Sequence, residues 1–285
     1  VELYLRQLLT GHHADDRIDA FLDTALQVLD YLATATPVRM SVATNFPDYR
    51  FLPGSRTGRS WDQEPFPMSL LGDAADRVLA RANPPLTQRE NRGLMGRQDR
   101  LRELVRARRE AGEVTSGVAL VAALLRGALD VGVGVWAAAR VVSATAEHAS
   151  GEWAYSVVVE TGERFRARRG VVWATGGYEA DAEIARQRLG MAPVPLGAAT
   201  NRGDALALLH QLGADTTTPG DAWWMPVYVA DLAEGFTAAN AKFGTRLLSL
   251  PGSLLVDGDG RRFTNETLNY YDQGPVLRHR LTEPI

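Results

Sequence analysis

From Leu3 to about Thr36, apolar residues recur at helical spacing: Leu5, Leu8 and Leu9, then Ile18, Phe21, Leu22, Ala25, Leu26, Leu29 and Leu32. Gly11-His12-His13 interrupts the run, Asp15-Asp16 suit the first turn of a second helix, and Pro37 ends it. A strand-like stretch follows, and then a loop dense in turn-formers: Asn45-Phe46-Pro47-Asp48-Tyr49, Pro53-Gly54 and Gly58. Residues 62–114 read as loops and short helices, with a charged helix near Leu101–Glu110. At Thr115-Ser116-Gly117 the character changes. Val118 to Ala128 is apolar on most sides, which predicts a buried helix.

Beyond it, Gly132-Val133-Gly134-Val135 and Val141-Val142 read as strand. Trp153–Val159 and Arg164–Arg168 alternate like an antiparallel pair joined at Thr161-Gly162. Arg169-Gly170-Val171-Val172-Trp173-Ala174 predicts a short apolar strand entering Thr175-Gly176-Gly177. Asp204 to Leu212 predicts a helix stopped at Gly213. Gly252–Asp257 predicts a last strand, turning at Gly258-Asp259-Gly260. Strands alternating with helices, with one hairpin inserted, argue for an α/β nucleotide-binding domain.

Composition narrows the function classes. The 285 residues are 45% hydrophobic and 23% charged with a net charge of -3, so no concentrated positive field favours nucleic acid. Lys242 is the only lysine, and cysteine is absent, which excludes disulfides, thiolate metal sites and cysteinyl flavin attachment within these residues. No apolar stretch reaches the ~18–20 residues of a membrane span, so a cytoplasmic location is the expectation. Val1-Glu2-Leu3-Tyr4-Leu5 reads as a running helix and Glu283-Pro284-Ile285 carries no terminal cap, giving the expectation of an interior piece truncated at both termini. His12-His13, His148, His210 and His279 make no metal-ligand pattern, and the Arg100–Arg109 stretch reads as a solvated helix face.

Three motifs stand out. Val171 to Tyr178 brings a buried strand to paired glycines, where a cofactor can approach the backbone; a plain strand-to-helix turn would read the same. Asn201-Arg202-Gly203-Asp204 opens a helix, where Asp204 could accept from a sugar hydroxyl or serve as a simple N-cap. Asp257-Gly258-Asp259-Gly260-Arg261-Arg262-Phe263-Thr264-Asn265-Glu266, followed by Tyr270-Tyr271-Asp272, sets charge beside aromatics, and a Tyr can act as proton acceptor or donor.

In this order and spacing, the three together resemble the fumarate reductase/succinate dehydrogenase flavoprotein family. Its members carry a strand ending Ala-Thr-Gly-Gly, then Thr-Gly-Asp-Gly before a helix, then Gly-x-Arg-Phe-x-Asn-Glu. Here Arg202 and Ala205 stand where that family usually has Thr and Gly. The resemblance implies a Rossmann-like FAD domain of glutathione-reductase type with a helical insert, over residues 1–229, lacking the opening Gly-x-Gly-x-x-Gly unit. Residues 1–114 would be mainly helices and loops, and 230–285 the start of an α+β catalytic domain. It implies FAD contacts at Val142, Ala174, Thr175, Gly176, Gly177, Gly203 and Asp204. Gly132-x-Gly134 does not supply the missing unit, because those glycines precede a strand.

Within the family, fumarate reductases have an Arg where this chain has Tyr270, and a His where it has Asp221-Ala222-Trp223-Trp224. The chain is more similar to 3-ketosteroid delta-1-dehydrogenases, which carry Asp-Ala-Trp-Trp, a Tyr after Asn-Glu, and Phe-Pro-Asp-Tyr, matched by Phe46-Pro47-Asp48-Tyr49. Those enzymes usually have Pro where Asn269 stands; less well-assigned flavin dehydrogenases read Asn-Tyr. The resemblance implies that Tyr270 removes a proton beside a ketone while hydride leaves the next carbon for FAD. Tyr49 would assist it, and Phe46, Trp223 and Trp224 would wall an apolar pocket. A steroid-like substrate and an unidentified electron acceptor are the implied partners. A dicarboxylate enzyme, a dehydrogenase of another enone, and a non-catalytic nucleotide-binding module are the rivals.

Overall fold

The computed structural model describes residues 1–9, 11, 15–79, 83–149, 152–216, 222–229 and 240–282. His12, His13, Asp221 and Glu283-Pro284-Ile285, singled out in the sequence, lie outside them. The chain divides into two compact units, Val1–Ala137 and Ala138–Ile285.

In the first unit, α1 (Glu2–Leu9) and α2 (Asp15–Ala35) match the helical spacing and its break. Arg6 joins them, donating to Glu2 at 2.9 Å and Asp19 at 2.5 Å. Two antiparallel pairs follow: β1 (Met40–Val42) with β2 (Trp61–Gln63), and β3 (Phe66–Pro67) with β4 (Glu113–Val114). Between β3 and β4 lie a 3-10 helix over Met68–Arg77, α3 (Gln88–Gly93) and α4 (Gln98–Glu110). α5 (Ser116–Asp130) closes the unit. The sequence predicts this helix buried on most sides, but only Ala119, Ala122 and Ala123 are buried, with Val121 and Leu124 exposed. The reason is size: three alanines on one face admit the core residues Val38, Phe66, Leu71 and Val78 at close range, and that face alone is used.

One ion pair ties the loop-rich part together. Arg108 on α4 is 8% exposed and donates through Nη1 and Nη2 to both oxygens of Glu90, at 2.5 Å each, and to the Pro85 carbonyl at 2.9 Å. Glu90 also completes a capping box with Thr87 at the start of α3. Burial pushes the Glu90 carboxyl up, but the bonds from Arg108 and Thr87 outweigh it and the net shift is downward.

In the second unit, β5 (Val141–Ala149), β6 (Glu152–Val159) and β7 (Arg164–Ala167) form an antiparallel meander in that order. The β6–β7 hairpin is the predicted one, with Gly162 in the left-handed region where the turn needs it. Register shifts between Val141 and Ser143, leaving Val142 at a β-bulge. α6 (Ala182–Leu189) starts at Asp181, which accepts from the amides of Glu183 and Ile184, both at 3.0 Å. α7 (Asp204–Gln211) is followed by the short pair β8 (Val227–Tyr228) and β9 (Lys242–Phe243), then α8 (Thr245–Leu248) and α9 (Tyr270–Thr282).

Three predicted strands are not strands. Gly132–Val135 is a turn and irregular chain, because Gly132 adopts a positive φ of 77°. Val171–Ala174 has no strand pairing among the described residues, and Val172 is 92% exposed. Gly252–Asp257 reduces to a single bridge, Val256 to Arg262. In each case apolar, β-branched composition is present without a ladder to join. Every strand pair among the described residues is antiparallel.

The bridge at Val256 is completed by Glu266, which is buried. Its carboxylate accepts from Arg262 Nη2 at 2.6 Å and from the Leu255 amide at 2.8 Å. These bonds, Arg262 first, lower its pKa from 4.5 to about 2. A folded-state pKa below the unfolded one contributes stability above pH 4.5 that is lost as pH falls toward about 2. Acid titration of unfolding should therefore show a steeper loss below pH 4.5 in the wild type than in Glu266→Gln. Equal acid limbs would contradict the linkage. In the first unit, Arg108→Met strands the Glu90 carboxylate and should lower denaturant stability by about 3–5 kcal/mol. A loss under about 1 kcal/mol would mean that the pair behaves as a solvated one.

Candidate functional site

Two glycine-bearing loops of the second unit are stitched into one wall. The Gly203 amide donates to the Gly177 carbonyl at 3.1 Å, and the Ala180 amide donates to the Asn201 carbonyl at 3.0 Å. Asn201 Nδ2 donates to Glu179 Oε1 at 2.7 Å. Gly176 and Gly203 both lie in the left-handed region, at φ 77° and 73°. A Cβ at Gly176 would run into the Asn201 side chain, and one at Gly203 would press on Ile184, Leu206 and Tyr178 at 3.1 Å each. The glycines are therefore required by the approach of the two loops to each other, before any ligand is considered.

This stitching leaves a cleft of about 200 Å³ lined by Trp173, Ala174, Thr175, Gly176, Gly177, Tyr178, Gly203 and three residues of α7, Ala205, Leu206 and Leu209. Five of the seven sequence-predicted cofactor residues thus share one surface: Ala174, Thr175, Gly176, Gly177 and Gly203. Ala174, Thr175 and Gly176 are exposed, so their main chain is open to it. Two candidates are not part of this lining. Val142 sits at the bulge of β5, half exposed. Asp204 follows the helix N-cap, which is Gly203 rather than the aspartate, and its carboxylate is paired with Arg140, at 2.7 and 3.0 Å.

A second group gathers at the start of α9. Asn269 Oδ1 accepts from the amides of Tyr271 at 3.0 Å and Asp272 at 3.1 Å, and Asn269 Nδ2 donates to Asp272 Oδ2 at 2.5 Å. This side chain does the work of an N-cap, which a proline in that place cannot do. It sets Tyr270 as the first helical residue. The Tyr270 ring stacks on Trp223, with centroids 6.3 Å apart and planes 13° from parallel. One and two turns further along α9, Gly274 and Arg278 meet Trp224. A Cβ at Gly274 would overlap the Trp224 side chain, and the Arg278 guanidinium lies 5.3 Å from its ring centroid. Arg278 also donates to the Leu189 carbonyl at 2.5 Å, fastening α9 to the end of α6.

The remaining candidates lie in the first unit. Phe46 and Tyr49 pack edge-to-face at 5.9 Å, and the Arg92 guanidinium covers the Phe46 ring at 4.1 Å. Asp48 holds the turn by accepting from the Arg56 amide at 2.8 Å, while its own amide donates to the Arg56 carbonyl at 2.9 Å. Sequence reasoning missed Arg140, Glu179 and Asn269 as site-shaping groups. Glu179 is adjacent to the Gly-Gly turn and was open to notice. Arg140 lies 64 residues from its partner, where no local pattern reveals it. Among the described residues, no group of three or more His, Cys, Asp or Glu could hold a metal ion, and no helix is long and apolar enough to cross a membrane.

Residues 2–282 match the family model described as FAD binding domain. The chain is 33% identical over 289 residues to 4-oxocyclohexanecarboxylate 2-dehydrogenase of Sinomonas cyclohexanicum, covering 96% of this chain and 49% of that protein. It is 30% identical over 297 residues to 3-oxosteroid 1-dehydrogenase of Mycobacterium tuberculosis, covering 94% and 51%. In three dimensions it is similar to the crystal structure of 3-ketosteroid delta1-dehydrogenase from Sterolibacterium denitrificans in complex with 1,4-androstadiene-3,17-dione. That match has a TM-score of 0.82 and 25% identity over 98% of this chain and 54% of that one. The chain spans about half the length of these relatives. A mixed helix-and-sheet fold, a cleft built at paired glycines and a match of nearly its full length place the chain in the family of FAD binding domains, whose cofactor is FAD.

Proposed function

We propose that the protein is an FAD-dependent dehydrogenase that introduces a double bond beside the carbonyl of a hydrophobic ketone, in the manner of a 3-ketosteroid 1-dehydrogenase. The observation that carries this reading is the stack of Tyr270 on Trp223 at the start of α9, a phenol presented against an apolar aromatic surface. Tyr270 takes the proton from the carbon next to the ketone. Bound FAD would supply the hydride acceptor for the following carbon, so that loss of the two hydrogens would leave a carbon–carbon double bond. Trp223 and Trp224 supply an apolar aromatic surface near Tyr270 that offers nothing to a small dianion, and Tyr49 and Phe46 keep the roles that the resemblance implies for them.

The cleft suits part of a flavin dinucleotide. Its volume of about 200 Å³ takes a portion of such a ligand, its floor is exposed main chain at Ala174 to Gly176, and a carboxylate stands beside it at Asp204. In this reading Ala174, Thr175, Gly176, Gly177, Gly203, Asp204 and Val142 face the cofactor. Residues 1–229 then belong to a Rossmann-like FAD domain with a helical insert, and 230–285 begin the catalytic domain. A second substrate class has its own support. The relative named for 4-oxocyclohexanecarboxylate is as similar to this chain as the steroid dehydrogenases are, and Asn269 replaces the proline usual in the latter.

Anaerobic mixing of the flavoprotein with a 3-keto-4-ene steroid, and separately with 4-oxocyclohexanecarboxylate, distinguishes the two by bleaching of the flavin absorbance. Tyr270→Phe should slow the bleaching by about 10²–10⁴-fold, the usual contribution of a positioned acid–base group. Flavin that neither ketone reduces would defeat the proposal, and reduction unchanged in Tyr270→Phe would remove Tyr270 from the chemistry. Asn269→Ala should lower stability by about 1 kcal/mol through loss of the cap, with Asn269→Asp close to wild type in thermal unfolding.

A further inference from the structure

We propose that Arg140 is a positioning residue for flavin binding, acting through Asp204; this rests on the reading that the cleft takes FAD. The two residues are 64 positions apart in sequence, and their pairing is two-pronged. Arg140 Nε donates to one Asp204 oxygen at 3.0 Å and Nη2 donates to the other at 2.7 Å. Such a fork fixes the plane of the carboxylate as well as its charge. The arginine is itself held, since its carbonyl accepts from the Glu160 amide at 2.8 Å where β5 and β6 begin and end. The meander thus projects one guanidinium onto the first residue of α7.

That residue stands between two members of the cleft wall, Gly203 and Ala205. Its carboxylate is not consumed as a helix cap, because the N-cap is Gly203 in a left-handed conformation. A fork uses one lone pair on each oxygen and leaves the others free to accept. The sugar-like portions of FAD present hydroxyl donors, which an acceptor-only carboxylate can bind and a donor-only guanidinium cannot. Arg140 therefore orients the acceptor without competing for the donor. As stability devices, partly solvated pairs contribute little, and Arg140 is 59% exposed in its side chain against 31% for Asp204. The arrangement makes sense as a means of presenting Asp204 in one orientation to a ligand.

The test is a double-mutant cycle on FAD affinity, read by quenching of flavin fluorescence on titration into the flavin-stripped full-length protein. Arg140→Gln should weaken FAD binding by about 10-fold and Asp204→Asn by more, since each removes charge-assisted geometry. The double variant should bind no more weakly than Asp204→Asn alone, because Arg140 acts only through that carboxylate. Arg140→Lys, which keeps the charge and loses the fork, should fall between wild type and Arg140→Gln. Thermal unfolding of the flavin-free variants should coincide with wild type, which separates lost positioning from lost fold. Unchanged affinity in Arg140→Gln, or effects that multiply fully in the double variant, would overturn the proposal while leaving FAD binding intact. A wild-type protein that takes up no FAD would instead overturn the cleft reading on which the proposal depends.

Discussion

The close seam between two loops, Thr175–Ala180 and Asn201–Asp204, is the constraint on which the second unit's architecture rests. Two backbone hydrogen bonds and the Asn201–Glu179 contact hold it. They form only because Gly176 and Gly203 adopt positive φ and carry no Cβ at the point of approach. α6 follows the first loop and α7 continues from the second. The cleft between Trp173, Tyr178 and α7 is the space left over. Ligand-binding capacity here is a by-product of how two glycine turns meet. An alanine at either position would disturb the wall itself before it touched any ligand.

The same logic governs α9. Its start is fixed by Asn269, its middle by Gly274 against Trp224, and its flank by Arg278 bonded to the end of α6. The Gly274–Trp224 contact adjoins the stack of Tyr270 on Trp223 without involving either of those rings. Glu266 and the fully buried Gln273 continue the tie, with Gln273 Nε2 donating to the Glu266 carbonyl at 3.5 Å. Arg262 and Glu266 are the ion pair of the Arg-Arg-Phe-Thr-Asn-Glu run. Glu266 anchors the bridge at Val256, and the residues after it deliver the tyrosine.

The sequence showed local order well and pairing poorly. Helices α1, α2, α4 and α7 and the β6–β7 hairpin follow from periodicity and turn chemistry, which are properties of neighbouring residues. Val171–Ala174, Gly132–Val135 and Gly252–Asp257 have strand-like composition, but a strand exists only with a partner, and composition does not say where the partner is. The glycines and Ala-Thr segment of the cleft were legible because backbone conformation restricts residue choice at each position. Arg140 was not, since any exposed arginine reads alike until the fold brings one to Asp204. Asn269 was visible as a departure from the usual proline, yet its purpose required the hydrogen bonds of α9 to be seen.

The short β8–β9 pair sets Lys242 opposite Tyr228, two residues beyond Pro226 and so a few residues from the Trp223-Trp224 wall. Because Lys242 is the only lysine of these 285 residues, that ammonium is the one side-chain amine among them. Amine-directed chemistry, whether a fluorescent ester or a short crosslinker, thus has a single side-chain address in this stretch, on the strand paired with Val227–Tyr228. The near-absence of lysine turns an ordinary labelling reaction into a site-directed one.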